Sequence, residues 1–115
     1  MGLFVSNKTV KIYFDDEGKI VDKETENWIE VYKELSVSAL KKLQNSWKPK
    51  IEYKDGEQVM LFEDIEVLPV EFLAEVIVRW SEKDTPTVEN IKSKLRHDIA
   101  QNLYNKLNEM YNLQK

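Results

Sequence analysis

The feature that most constrains this chain is a stripe of apolar residues near its C-terminal end. Val88, Ile91, Leu95, Ile99, Leu103, Leu107 and Met110 recur every three or four residues. A spacing close to the helical repeat of about 3.6 keeps them on one face, and the segment from Thr87 to Asn112 holds no glycine or proline to interrupt it. The pattern predicts one long amphipathic helix over 87–112. Such a helix must lay its stripe against something, so the rest of the chain is read for a surface that can receive it.

Upstream, Val70 to Glu82 places Glu71, Glu75, Arg79 and Glu82 within one narrow arc at about 100° per residue. Val70, Leu73, Ala74, Ile77 and Trp80 cover the opposite side. This predicts a second helix, largely covered, with Pro69 in its first turn and a Glu75–Arg79 pair one turn apart on its exposed edge. A buried strand over Ala74–Trp80 is the competing reading. The connecting stretch Ser81–Thr87 reads as a corner. Pro86 disfavours the helical region for Thr85, Thr85 or Thr87 can cap the next helix, and Asp84 and Glu89 lie near its positive end. Across this corner Leu73, Ile77, Trp80, Ile91, Leu95 and Ile99 are expected to form a core.

The first half of the chain has a different period. Val10, Ile12 and Phe14 alternate with Lys11 and Tyr13, and Ile29 and Val31 alternate with Trp28, Glu30 and Tyr32. Both runs read as half-buried strands. Asp15-Asp16-Glu17-Gly18 supplies a turn after the first, with Gly18 free to take positive φ. Val37, Leu40, Leu43 and Trp47 predict a short helix capped by Ser36 and ending before Pro49. Asp55-Gly56 is a turn signal between Ile51–Tyr53 and Val59–Phe62, so a hairpin is expected there. The fold class that follows is α+β: N-terminal β-hairpins packed on a mainly helical C-terminal half, in a single domain over residues 1–115.

Composition narrows what such a domain does. With 42% hydrophobic and 33% charged residues, the chain can build a core. It has no cysteine, which removes disulfides and thiolate chemistry. The net charge is −4, from 17 basic and 21 acidic residues, and argues against nucleic acid as a partner. The denser basic groups, Lys41-Lys42 with Lys48 and Lys50, and Lys92, Lys94 and Arg96, read as solvated faces. No apolar run approaches the roughly 20 residues of a membrane span, so no membrane association is expected. Gly2 and Ser6 stand where a myristoylation motif would place them, but nothing polybasic follows, and the N-terminus is too short and weakly basic for a secretion signal.

No catalytic constellation emerges. His97 is the single histidine, and Lys94 and Gln101 at helical spacing from it are not metal ligands. Asp15, Asp16 and Glu17 lack the further ligands of a calcium loop. Asp64, Glu66 and Glu71 are carboxylates with no sign of convergence. The serines Ser36, Ser38, Ser46 and Ser81 have no flanking elbow glycines. The expectation is a non-enzymatic protein with no cofactor and no metal. The candidate contact residues are Ala100, Tyr104, Leu107 and Tyr111, which cluster beside the main stripe of the long helix. Two tyrosines there suit either a cover of N-terminal elements or a surface for an amphipathic partner helix or a second copy of the chain.

Two stretches carry a resemblance. "ENWIEVYKELSVSALKKL" pairs a Trp-Ile-Glu strand with a Leu-Ser step into a helix, and "FLAEVIVRWSEKDTPTVENIKSKL" runs from an apolar segment ending in Trp through an acidic turn to Pro-Thr and Glu-Asn-Ile. Together with the N-terminal "VKIYFDDEGK", this order resembles the small tail assembly chaperones of long-tailed bacteriophages over most of residues 8–107. The resemblance implies a cofactor-free protein that coats the helical tape measure protein, helps recruit tail tube subunits and works in the cytoplasm of an infected or lysogenic bacterial host. The alternative is a small phage or prophage structural component of the tail or head–tail junction.

Overall fold

The computed structural model describes residues 3–46, 50–54, 56–61 and 68–113. Its elements run β1 (Thr9–Phe14), β2 (Ile20–Val21), β3 (Asn27–Tyr32), α1 (Val37–Ser46), β4 (Lys50–Lys54), β5 (Glu57–Leu61), α2 (Val70–Val76), β6 (Ile77–Trp80), α3 (Val88–Lys94) and α4 (His97–Met110). Four strands make an antiparallel sheet in the order β2-β1-β3-β6, and β4–β5 forms a two-stranded sheet of its own. The architecture is α+β, as the periodicities predict.

The sheet follows from the alternation. β1 and β3 pair in register from Thr9–Tyr32 to Phe14–Asn27. Ile12, Phe14, Ile29 and Val31 thereby share one buried face. The turn between β1 and β2 is built by Asp15, whose carboxylate accepts from the backbone N–H of Glu17 and Lys19, both at 2.9 Å. Gly18 sits there at φ +84°, and a Cβ on it would come within 2.7 Å of the Asp98 carboxylate. Glycine is therefore favoured by the backbone, and the nearby Asp98 and Ile99 side chains of α4 would have to shift for any larger residue.

Ser36 caps α1, its hydroxyl accepting from the Ala39 N–H at 3.1 Å. Lys42 on α1 pairs with Glu75 on α2 at 3.0 Å, and Ser38 donates to the same carboxylate at 3.2 Å. Buried residues from all four helices join the inner face of the sheet in one cluster: Ala39 and Leu43 from α1, Phe72, Leu73 and Val76 from α2, Ile91 from α3, Leu103 and Leu107 from α4. Trp47 and Phe62, expected to end the first helix and the second hairpin, lie outside the described residues.

Two sequence expectations are corrected. The helix expected over Val70–Glu82 stops at Val76, and Ile77–Trp80 is a strand. Ile77 turns to extended geometry at φ −78°, ψ 121°. β-Branched Val76, Ile77 and Val78 suit a pleated surface, and β3 offers an edge on which Ile77, Arg79 and Trp80 pair with Val31, Glu30 and Ile29. Tertiary pairing overrides the helical period. Arg79 accordingly reaches Glu30 across the sheet rather than Glu75, whose partners are Lys42 and Ser38.

The single helix expected over 87–112 is two helices. Thr87 caps α3, accepting from the Asn90 N–H at 3.2 Å, and Leu95 and Arg96 are extended. The break lets each half meet a different partner: Ile91 packs toward α2, while α4 crosses the sheet from Gly18, whose carbonyl accepts from Asn102 at 2.8 Å, to Tyr32 at the end of β3. Of the six residues expected across the corner, Leu73, Ile77, Trp80 and Ile91 are buried; Leu95 and Ile99, at the elbow, are half-buried.

Leu103→Ala should cost about 2–5 kcal/mol in urea unfolding, because it empties a fully enclosed site. Leu95→Ala should cost less than half as much. Equal losses would show that the elbow is as tightly packed as the middle of α4.

Candidate functional site

The strand β6 ends at Trp80, and the chain returns through the corner to α3. Trp80 Nε1 donates to the Asp84 carbonyl, which folds the corner back over the indole. Lys94 pairs with Asp84 at 2.8 Å and ties the end of α3 to the same corner. Since Leu95 and Arg96 are extended, the helical stripe opens at this point. Leu95, Ile99 and Trp80 then form the apolar wall of a groove of about 280 Å³, with Glu82, Asp84, Lys94 and Arg96 on its rim. A smaller hollow beside it shares Trp80, Leu95 and Ile99 and reaches Phe14, Asn27 and Trp28 at the end of the sheet.

The two rim cations each meet a carboxylate. Lys94 faces Asp84, and Arg96 meets the Asp98 carboxylate at 2.6 Å and the Asp16 carbonyl at 3.2 Å. The Arg96 hydrogen bond holds the Asp98 carboxyl below its usual range, helped by the Ile99 N–H. The groove is slightly smaller than pockets that enclose drug-sized ligands, which start at roughly 300 Å³. It suits one or two apolar side chains of a docked segment. An apolar wall with charged side chains at its rim is an arrangement that can bind.

The open face of the sheet carries a second polar arrangement. Lys11 lies over the Trp28 ring at 4.2 Å and Arg79 approaches the same ring at 5.8 Å. Between these cations Glu30 is only 9% exposed, accepting from Thr9 Oγ1 and, at 2.5 Å, from Arg79 Nε. The Thr9 hydroxyl and the Arg79 guanidinium lower the Glu30 pKa. The side-chain alternation foretold which residues of β1 and β3 face outward, but Arg79 joins them only because β6 is a strand.

The contact residues expected on the long helix occupy another place than an open surface. Ala100 and Leu107 are buried, and Tyr104 and Tyr111 are half-buried against the core. Both tyrosine rings meet Phe72 edge-on, at 6.5 and 6.4 Å between centroids. The Tyr111 hydroxyl donates to the Tyr32 carbonyl, and burial pushes its pKa up to about 12. The face is covered because α4 is gripped by α2 and the sheet together, which widens its apolar side beyond the central stripe. Ala100 and Leu107 thus pack inside the protein, and Tyr104 and Tyr111 keep part of their surface exposed.

The remaining candidates stay apart. His97 is exposed at the start of α4, Glu71 is exposed on α2, and Asp15 is engaged by its own turn. Gly2, Asp64 and Glu66 lie outside the described residues. Among the described residues, no three histidine or carboxylate side chains gather into a set that could hold a metal ion. No described helix is long and apolar enough to cross a membrane. Compared with protein-family models, curated proteins and solved structures, the chain matches none.

Two outcomes follow from this geometry. Tyr104→Ser combined with Tyr111→Ser should lower the melting temperature clearly, because it strips both edge contacts and the tie to β3; an unchanged melt would return the tyrosines to the surface. Glu30 has a depressed folded-state pKa, so its contribution is complete above the unfolded value of about 4.3 and is lost as pH falls through the folded value. Glu30→Gln should cost about 1 kcal/mol at neutral pH, with much of Arg79 in water limiting the loss. It should also flatten the fall in stability below about pH 4.3. A variant with the wild-type acid slope would remove Glu30 from that role.

Proposed function

We propose that the chain is a non-enzymatic tail assembly chaperone that binds apolar helical segments of a tape measure protein in the Trp80–Leu95–Ile99 groove and assists addition of tail tube subunits. It would act in the cytoplasm of an infected or lysogenic bacterium, without a cofactor. The observation that carries this reading is that the two stretches resembling such chaperones lie against each other. The first supplies β3 and α1, the second α2, β6 and α3. β3 pairs with β6, and Lys42 of α1 pairs with Glu75 of α2. Ser81 donates its N–H to the Trp28 carbonyl at 3.0 Å, and the Trp28 N–H donates to Ser81 Oγ at 3.1 Å, so the two tryptophans of the resemblance are fixed at one end of the sheet. The groove begins there. An amphipathic helix presenting one or two large apolar side chains would be recognised by burial, with the paired rim charges excluding water from the contact.

The test is co-expression with a tape measure protein of a long-tailed phage. The wild-type chain should keep that protein soluble and copurify with it. Ile99→Glu, at a half-buried position, should weaken the complex at least about tenfold, or 1.4 kcal/mol, while the circular dichroism spectrum is retained. Quantitative mass spectrometry of purified virions should find the chain missing. Stoichiometric presence in the virion would instead favour a structural component of the tail or head–tail junction.

A further inference from the structure

Strand β1 has one edge that the sheet does not finish. Its pairing with β3 runs the full length of the strand, from Thr9–Tyr32 to Phe14–Asn27, but its pairing with β2 covers only Tyr13 and Phe14. Two hydrogen bonds fix which way the other backbone groups point. The Lys33 N–H donates to the Lys8 carbonyl at 3.0 Å, and the Asp15 N–H donates to the Lys19 carbonyl at 2.9 Å. Hydrogen-bonded and non-hydrogen-bonded pairs alternate along an antiparallel ladder. Val10, Ile12 and Phe14 therefore turn their N–H and C=O groups to β3, while Thr9, Lys11 and Tyr13 turn theirs to the other edge. Tyr13 meets Val21 there. Among the described residues, nothing meets the N–H and C=O groups of Thr9 and Lys11.

An open edge is a template for another strand, and lysine side chains are a common guard against it. Lys11 leans the other way. Its ammonium lies over the Trp28 ring at 4.2 Å, and Trp28 belongs to β3, on the side of β1 away from this edge. The neighbouring segments also keep clear. The Thr25 hydroxyl donates to the Phe14 carbonyl at 2.7 Å, which draws the β2–β3 connection to the far end of β1. The Ser6 N–H donates to Glu34, just past β3.

On the inner face of the sheet, α4 runs from the Gly18 carbonyl, held by Asn102, to the Tyr32 carbonyl, held by Tyr111. Tyr32 pairs with Thr9, so α4 ends at the same end of the sheet as the open edge. Between β2 and α4 lies a cleft of about 330 Å³ lined by Lys19, Ile20, Asn102, Asn105, Lys106 and Glu109. It shares no residue with the Trp80–Leu95–Ile99 groove. Its wall is rich in donors. Lys106 is exposed and makes no ion pair among the described residues. Lys19 meets Glu17 only at 3.8 Å, in water. Asn105 spends its oxygen on Gln101 at 3.2 Å and keeps its amide hydrogens. Glu109 is the one carboxylate among the lining residues, in a chain whose net charge is −4.

We infer that the Thr9–Lys11 edge of β1 is a docking site for an extended, acidic segment of a partner protein, which adds a strand in line with β2 and places a carboxylate in the Lys19–Lys106 cleft. Main-chain hydrogen bonds to Thr9 and Lys11 hold such a strand, and alternate side chains give selectivity, every second one lying on the cleft side of the sheet. A second copy of the chain fits less well. Two β1 edges paired about an axis at Val10 set Thr9 opposite Lys11 and make the two Lys11 side chains diagonal neighbours. The inward residues of that second strand are Val10 and Ile12, which bring the cleft lysines no carboxylate.

Nuclear magnetic resonance on the nitrogen-labelled full chain tests this, with the blocked peptide Thr-Glu-Val-Glu-Val-Glu-Thr as probe. In the free chain the Thr9 and Lys11 amides should exchange with water at least about tenfold faster than those of Val10 and Ile12. The peptide should slow their exchange and shift their resonances. The same peptide with lysine in place of glutamate should bind at least about tenfold more weakly. Lys106→Glu, at an exposed position, should weaken binding of the acidic peptide about fivefold and leave the melting temperature unchanged. Lys11→Pro removes an edge N–H while sparing the ladder to β3, and should abolish binding; Lys106→Glu carries the test if that variant does not fold. Thr9 and Lys11 amides already as protected as their neighbours would show a covered edge and overturn the inference. Equal binding of the two peptides overturns it, as does a Lys106→Glu variant that binds the acidic one normally. Protection that appears on raising the protein concentration without peptide assigns the edge to a second copy and also overturns it.

Discussion

The burial of Phe72 is the contact on which the rest of the structure closes. Its ring is fully enclosed, with Tyr104 of α4 and Tyr111 just past its end meeting it at interplanar angles of 83° and 80°. Edge-to-face pairs of this kind add about 0.5–1.5 kcal/mol each beyond the area they bury. α2 has seven residues and would not hold helical form alone. It exists because Phe72, Leu73 and Val76 are clamped between the sheet and α4. The Tyr111 hydroxyl then fastens the end of α4 to the last carbonyl of β3. Sheet, α2 and α4 thus depend on one aromatic cluster, and α1 is added to it through Glu75.

Among the described residues, the opposite side of the sheet is held by its own side chains. Trp28 stands between Lys11 and Arg79, and Glu30 is satisfied by Thr9 and Arg79. The long cationic side chains shield apolar surface while their charged ends stay in water. This keeps a large aromatic on an open face from becoming an adhesive patch.

Much of this was legible in the residues. The two-residue period of β1 and β3 survives because the sheet has one dry and one wet face, and Ser36 and Thr87 were readable caps. The end of α2 was not. Val76 to Trp80 is apolar enough to serve as helix or strand, and what decides is the edge of β3, which lies more than forty residues away in sequence. The break at Leu95-Arg96 leaves the spacing of the stripe intact and uses neither glycine nor proline, so periodicity passes straight through it. The groove residues Trp80, Leu95 and Ile99 were identified as core; that Leu95 and Ile99 open onto a groove beside Trp80 depends on the elbow. Ala100, Tyr104, Leu107 and Tyr111 looked peripheral because the width of a covered face depends on how many elements grip the helix.

The passage from Val76 to Ile77 takes place with no connecting residue, helix giving way to strand in one step. Such a junction has no slack. One residue inserted there would turn Phe72 and Leu73 by about 100° relative to the sheet, or exchange the two faces of β6. The lineage of this chain should therefore tolerate changes of residue type around position 76 far better than changes of length. The β4–β5 ribbon, hydrogen-bonded to no other strand among the described residues, is where length can vary. Its tip, where Gly56 turns at φ +81° with open space around it, is the natural point for an added tag or a foreign loop.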